Sequence, residues 1–501
     1  MQQAVFTVSS SLLVVQCSMM QLGLIVLSYL IEGLVHNEGC GRQSAEGRSR
    51  VPQRAERAWK DRATWRRKLQ PHKLEGRDVR GSLHAERARG GASLCEDVRN
   101  AIERHETRSR RRLADSLNKN KCENPGKFWK IFKKLRGSTP LTYPIKHNNQ
   151  LLLQTTDKLN AFQNHLQNLH ITPQDPNFDN DIYIRITDHV TANPQLYLPL
   201  QTPAPQIQNN IPYPLTTDIT ANEVAAAICR TKNPAAGPDN IPNIIYRHYP
   251  QRTVEFLAAI YTASFRRGAL PPRWKHALIL LFPKPRKDLT NVDNYRPISL
   301  TLTICKLMEH ILNLCLQQYV DDADLIPQTQ AGFRPHTDII DQILKVLTPV
   351  ETARERRQTI AIVALDMQRA FDTVWHDGLR YKLTNLGLPP QITRWISDFL
   401  QDRTAQIKIN NQLPTPLIIH GGVPQGTVLS PILYNLFVAD IPTTRQTNVT
   451  LGQFADDTIY VASGRTIYVA TQGMNNALTD LTTWLKQWRL KLNVSKTQAI
   501  L

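Results

Sequence analysis

Cysteine is scarce and carries no pattern. The seven cysteines stand at 17, 40, 95, 122, 229, 305 and 315. No two form a CxxC pair, and no Cys/His spacing matches a zinc site, which excludes a zinc-stapled module. They read as reduced core or surface thiols, which fits an intracellular compartment, nucleus or cytoplasm. No internal repeat is visible. Residues 4–35 hold a single charge, Glu32, and no basic residue precedes the apolar run Leu22–Ile31. That lack excludes an ordinary signal peptide. Two readings of residues 1–40 stand: a membrane-spanning helix, with the arginines from Arg42 onward keeping the rest cytoplasmic, or an upstream extension unrelated to the rest.

Acidic residues are few in one place only. Of the 61 Lys+Arg and 42 Asp+Glu, residues 41–140 hold 28 and 12, so most of the net charge of +19 belongs to that segment. It is helix-prone, with Trp59, Trp65, Phe128, Trp129 and Phe132 interleaved, and KFWKIFKKLRG (127–137) reads as a basic amphipathic helix. Such a segment suits a nucleic-acid backbone, or is a solvated linker. Residues 141–215, rich in Pro, Gln and Asn, read as a connector with a few short elements. From about 216 charges balance and apolar periodicity strengthens. The expected elements there are helices over 221–230, 251–267, 301–319, 338–347, 377–386, 391–402 and 469–488, with another beginning near 427. Strands are expected over 277–282, 359–366 and 405–409, and a hairpin over 452–463.

Two stretches carry unusual carboxylates. GQFADDTIYVAS (452–463) sets Asp456 and Asp457 side by side in an apolar, β-branched run. Neighbouring strand side chains face opposite ways, so at least one points at packed protein, which is costly for an unpaired carboxylate. TIAIVALDMQRAFDTV (359–374) reads as a strand buried on both faces, ended by Asp366, with Asp372 six residues on. If Asp366 and the pair converge, they raise one another's pKa, and a divalent cation relieves the repulsion. Oxygen-only ligands select hard ions such as Mg²⁺.

Two loops keep them company. GGVPQGTVLSPILYNLFVADIP (421–442) is a sharp Gly-Val-Pro-Gln-Gly turn into a helix, able to present backbone N–H groups and the Gln425 amide to a ligand, or simply a glycine-rich loop. FPKPRKDLTNVDNYRPISL (282–300) places Lys284, Arg286, Lys287 and Arg296 in one loop, suited to a triphosphate or to solvent.

In order, PKP…NYRPISL, QAGFR, ALDMQRAFD, GVPQGTVLSPILYN, FADD and WLKQWRLKLNVSKT resemble the reverse transcriptases of non-LTR retrotransposons, the jockey-like group most of all. TKNPAAGPDNIPNIIYR (231–247) is similar to the segment preceding that family's catalytic core. The resemblance covers about 220–501. It implies an α+β right-hand polymerase of fingers and palm, preceded by the basic helical linker. It also implies an RNA-directed DNA polymerase that joins dNTPs to a primer 3′-hydroxyl by two-metal nucleotidyl transfer. Asp366 and Asp456 would carry two Mg²⁺ ions, with Mn²⁺ as a substitute and Asp457 beside them. Phe371 would exclude a 2′-hydroxyl; Gln425 and Gly426 would contact the nucleotide; Lys284 and Arg296 would hold its triphosphate. Lys496 is the candidate proton donor to pyrophosphate, Arg334 a template-phosphate contact, and Asp372 a helix cap. RNA template, DNA primer, dNTPs and target DNA are the implied partners, with a membrane only if residues 4–35 span one.

The family pattern is not met everywhere. Arg286 stands where relatives commonly carry glycine. No endonuclease is recognisable in residues 1–140, and nothing after NVSKT resembles a thumb. The expected organisation is 1–40 apolar segment, 41–215 linker region and 216–501 fingers and palm, with core motifs over 276–501. A truncated relic that at most binds RNA is the alternative to an active enzyme.

Overall fold

The computed structural model describes residues 143–147, 150–167, 175–201, 218–231, 235–285, 287–410, 412–443 and 448–501, with isolated positions between 104 and 115. All of these fall in one of the chain's two compact units. The apolar segment 1–40, the expected helix at 127–137 and Arg286 lie outside the described residues. Among the described residues no helix is long and apolar enough to cross a membrane.

Ten strands are described: β1 Ile145–His147, β2 Gln150–Leu152, β3 His276–Pro283, β4 Tyr295–Leu300, β5 Thr359–Asp366, β6 Arg403–Ile407, β7 Leu417–Ile419, β8 Val449–Phe454, β9 Asp457–Gly464 and β10 Gln498–Ile500. One four-stranded sheet runs β10-β5-β9-β8 and a second runs β4-β3-β6-β7, while β1 and β2 pair separately. Local chemistry fixes the helices around them. Thr220 and Glu223 form a reciprocal capping box at the start of the helix Ala221–Arg230, and Asp338 and Asp341 do the same for Ile339–Glu355. Pro390 opens the helix Pro390–Leu400, where missing an N–H costs nothing. Every residue of that helix after Pro390 is buried, Trp395 and Phe399 completely, as befits an element at the centre of the core.

The first sheet buries Ala361, Val363 and Leu365 of β5 in the main apolar cluster, against helices that include Thr303–Asp322 and Ile467–Trp488. The opposite face of β5, bearing Ile360, Ile362, Ala364 and Asp366, is only half-buried. The expectation of a strand buried on both faces is therefore corrected. β10 pairs along the free edge of β5, and all three of its residues are exposed.

The segment read as a connector departs further. Phe162 of the helix Thr155–Gln167 packs edge-on against Tyr295 of β4, with ring centroids 5.2 Å apart, inside a second apolar cluster with Ile279, Ile407 and Leu417. Tyr183 of the helix Asn180–Ala192 stacks on Trp375 at 5.0 Å. These elements cover the sheets. Tertiary burial of a few aromatics outweighs the weak helix propensity of NDIYIRITDHVTA.

β4 was hidden by its proline. Pro297 lies on the outward-facing phase of an edge strand, the same phase as Ser299, whose N–H leaves the sheet. No ladder bond is lost there.

Phe162→Ala is expected to destabilise the protein by about 3–5 kcal/mol, the usual cost of emptying a buried aromatic site, read as a shift in the urea unfolding midpoint. A shift near zero would show that the helix does not cover the second sheet in solution.

Candidate active site

Antiparallel register sets Asp366, the last residue of β5, directly opposite Asp457, the first residue of β9. Like charges directly opposite on a ladder repel. Asp456 sits in the turn just before Asp457. Burial pushes the Asp456 carboxyl up, and the charge of Asp366 adds to that push, while Lys496 and Arg296 pull it back. The three aspartates are thus brought to one end of the first sheet. Among the described residues no cluster of three or more His, Cys, Asp or Glu is close enough to enclose a metal ion alone. The donor set is two mutually repelling carboxylates, all oxygen. It fits a hard divalent cation whose remaining ligands come from water and substrate phosphate, as Mg²⁺ prefers.

Cations ring this pair. The segment after the last helix runs beside β5: the N–H of Asn493 donates to the Asp366 carbonyl at 2.8 Å, and the N–H of Gln368 to the Lys491 carbonyl at 2.8 Å. That brings the Lys496 ammonium to 2.9 Å from Asp366 Oδ2. From the second sheet, Lys284 donates to the Asp293 carbonyl at 2.6 Å. Burial lowers its pKa, and the charges of Lys496 and Arg296 lower it further. Arg369, in a left-handed conformation just after β5, pairs with the Asp293 carboxylate. Crowded cations of this kind fit a polyanion.

Phe371 follows five residues after Asp366. Its ring stacks on Tyr434 at 4.8 Å with a 24° interplanar angle, and Phe333 meets it edge-on at 6.1 Å. The Gly-Val-Pro-Gln-Gly loop at 422–426 is fastened to this segment and to β4. The N–H of Val423 donates to the Phe371 carbonyl at 2.7 Å, and that of Ser299 in β4 to the Gln425 carbonyl at 2.7 Å, so the loop ties both sheets together. Gly426 adopts φ +106° and passes so close to β4 that a Cβ would lie 2.8 Å from the Ser299 carbonyl oxygen. Beneath, Glu309 is wholly buried and accepts the N–H groups of Val428 and Leu429 at 2.7 and 3.3 Å. It thereby anchors the entry to the helix Ser430–Phe437.

Two expectations change in detail. Asp372 does not cap a helix: the helix His376–Asn385 has Trp375 at its N-cap and no side-chain cap. Instead Asp372 Oδ1 accepts from Gln425 Nε2 at 3.0 Å, so the Gln425 amide is tethered within the protein. Arg334 is turned inward, donating to the carbonyls of Ile326 and Pro327 at 3.0 and 3.2 Å, with Asp321 at 4.0 Å. That guanidinium braces its own loop, because carbonyls with no strand partner surround it.

Residues 282–501 match the model of the reverse transcriptase (RNA-dependent DNA polymerase) family. The chain carries a reverse transcriptase domain. It is 31% identical over 384 residues to the probable RNA-directed DNA polymerase from transposon BS of Drosophila melanogaster, covering 74% of this chain and 40% of that one. It is 30% identical over 378 residues to the RNA-directed DNA polymerase from mobile element jockey of the same organism, covering 74% and 39%. The chain therefore spans about two fifths of the length of these curated relatives. A solved telomerase from Candida tropicalis overlaps 50% of this chain and 56% of its own at 13% identity, with a TM-score of 0.34, too loose a match to inform the site. The matched domain is a palm-and-fingers polymerase fold, and its first sheet carries the facing aspartates. Polymerases of this family use divalent metal ions.

Arg369, Glu309 and Phe333 escaped the sequence reading. Glu309 was detectable, as a lone acid on the apolar face of TICKLMEHILNLCL. Arg369 stood between two conspicuous aspartates, but its reach to Asp293 depends on a backbone turn that no spacing reveals.

Burial raises the Asp372 carboxyl to about 6 from 3.8, with the Gln425 hydrogen bond acting against it. A folded-state pKa above the unfolded one means that its contribution to stability is whole below 3.8 and is lost as pH rises through about 6. Asp372→Asn keeps the acceptor for Gln425 and is expected to add about 1–2 kcal/mol at pH 8, with no gain at pH 3.5. Unfolding midpoints at the two pH values check this; equal gains at both would contradict it.

Proposed function

We propose that this chain is an RNA-directed DNA polymerase that extends a DNA primer on an RNA template with dNTPs, working at target DNA. The observation that carries the reading is the repelling carboxylate pair, Asp366 and Asp456, ringed by Lys284, Arg296, Arg369 and Lys496 beside a stacked aromatic. Carboxylates and cations packed this closely suit a metal–triphosphate complex. Two Mg²⁺ ions held by Asp366 and Asp456, with Asp457 alongside, would supply Lewis-acid stabilisation of the attacking and leaving oxygens.

The chain's own residues do the positioning. Lys284, Arg296 and Arg369 grip the triphosphate and neutralise its charge. The loop at Gln425 and Gly426, fastened to both sheets, forms the wall on which the nucleotide lies. The primer 3′-hydroxyl gives its proton to solvent water, its oxygen bonds to the α-phosphorus, the bond from that phosphorus to the β-bridging oxygen breaks, and pyrophosphate leaves. Lys496, already at the Asp366 carboxylate, is the group placed to give pyrophosphate a proton at Nζ. Phe371 cannot recede, since Tyr434 backs its ring, so a 2′-hydroxyl meets a fixed wall. Holding the reacting groups in line is most of what such a transfer needs.

Primer extension on an RNA template with dNTPs and Mg²⁺ tests this. The parent is expected to extend the primer, and Asp456→Asn to lose extension by about a thousandfold or more. Absence of extension by folded parent protein would support a non-catalytic RNA-binding relic instead. Phe371→Val is expected to raise rNTP use relative to dNTP use by about tenfold or more; an unchanged ratio would remove Phe371 from sugar selection.

A further inference from the structure

The turn that carries Asp456 is strained. Phe454 pairs with Asp457, leaving Ala455 and Asp456 as a two-residue connection between β8 and β9, and Ala455 adopts φ +59°. Positive φ at the first position of such a connection is the habit of a type II′ turn, where glycine is favoured. An alanine persists there only if its surroundings hold it.

One side chain does the holding. Gln330 is 2% exposed, and its amide brackets Ala455. Oε1 accepts the Ala455 N–H at 2.8 Å, and Nε2 donates to the Ala455 carbonyl at 3.0 Å. The same Oε1 accepts the N–H of Gly332 at 2.8 Å. Gly332 lies so close to the turn that a Cβ on it would be 2.1 Å from the Ala455 nitrogen. Its carbonyl accepts from Asn435 Nδ2 at 2.7 Å, next to Tyr434 under Phe371. Around these contacts, the N–H of Ala331 donates to the Gln453 carbonyl at 2.9 Å, and that of Gln453 to the Thr329 carbonyl at 2.8 Å. Residues 329–332 are thereby fixed along the outer edge of β8.

We propose that Gln330 is a positioning residue for Asp456: its side-chain amide imposes the strained Ala455 turn and so sets the carboxylate against Asp366. The kinetic consequence rests on the reading of Asp456 as part of the polymerase site; the clamp itself does not.

The two parts separate in one experiment on the full chain. Gln330→Met keeps the volume and removes all three hydrogen bonds of the amide, two to Ala455 and one from Gly332. Amide hydrogen exchange at Ala455 is expected to quicken by about tenfold or more, with the helix Ile467–Trp488 unchanged. Primer extension is expected to fall by about tenfold or more, mainly in kcat with KM for dNTP held. Adding Ala455→Gly, which takes up the turn without a clamp, is expected to restore most of the lost rate. A merely structural role would lower stability without rescue by glycine. If Gln330→Met does not fold, Gln330→Asn, one methylene too short to bracket Ala455, carries the same test. Unchanged exchange at Ala455, unchanged extension, or no rescue by glycine would each overturn the proposal. Should the parent itself not extend primers, the polymerase reading fails, and the exchange rates alone decide the clamp.

Discussion

The confrontation of Asp366 with Asp456 and Asp457 at the end of the first sheet is the constraint around which the rest of the site is arranged. Antiparallel register forces it, since the strand that ends in Asp366 pairs with the strand that begins at Asp457. Like charges so placed are tolerated when opposite charge is at hand. The protein supplies part of it through Lys496 at 2.9 Å and through Arg296 nearby. The cations are crowded in turn: burial and the charges of Lys496 and Arg296 lower the pKa of Lys284. A site in which each sign of charge is crowded fits a ligand that carries both, a metal-bound triphosphate.

Geometry is held by backbone more than by side chains. The loop at 422–426 is bonded to the segment after β5 through Phe371 and Val374, and to β4 through Ser299. Glu309 fixes its exit from beneath. Positive φ recurs at Phe333, Arg369, Ala455, Gly422 and Gly426, all around the site. Strain collected in this way survives only where neighbours over-determine the conformation, and the bonds from Gln330, Glu309 and Asn435 do that here.

Much of the domain could be read from the chain because its periodicity is strong. The helices Ala221–Arg230 and Gln251–Arg267 and the strand Thr359–Asp366 have the bounds that apolar spacing implied. What escaped did so for nameable reasons. β4 carries Pro297 and Arg296, residues typical of a loop, because it is an edge strand. The helix Asn180–Ala192 is too polar to announce itself and is secured by Tyr183 against Trp375. Within the site, the aspartates, Lys284, Arg296, Phe371 and Gln425 were visible as residue types in suggestive order. The Asp372–Gln425 tether, the inward turn of Arg334 and the pairing of Lys496 with Asp366 were not. Each depends on contacts between segments tens of residues apart or more, or on a backbone turn that local pattern does not encode.

The most direct test of the electrostatic account is equilibrium binding of Mn²⁺ in the presence of a dNTP, followed by electron paramagnetic resonance on the unreacted protein. The account predicts that the parent immobilises Mn²⁺ and that Asp366→Asn weakens this by about tenfold or more, since one of two carboxylate ligands is lost. Equal Mn²⁺ affinity in parent and variant would contradict it, and would mean that the aspartates oppose each other for some reason other than a shared cation.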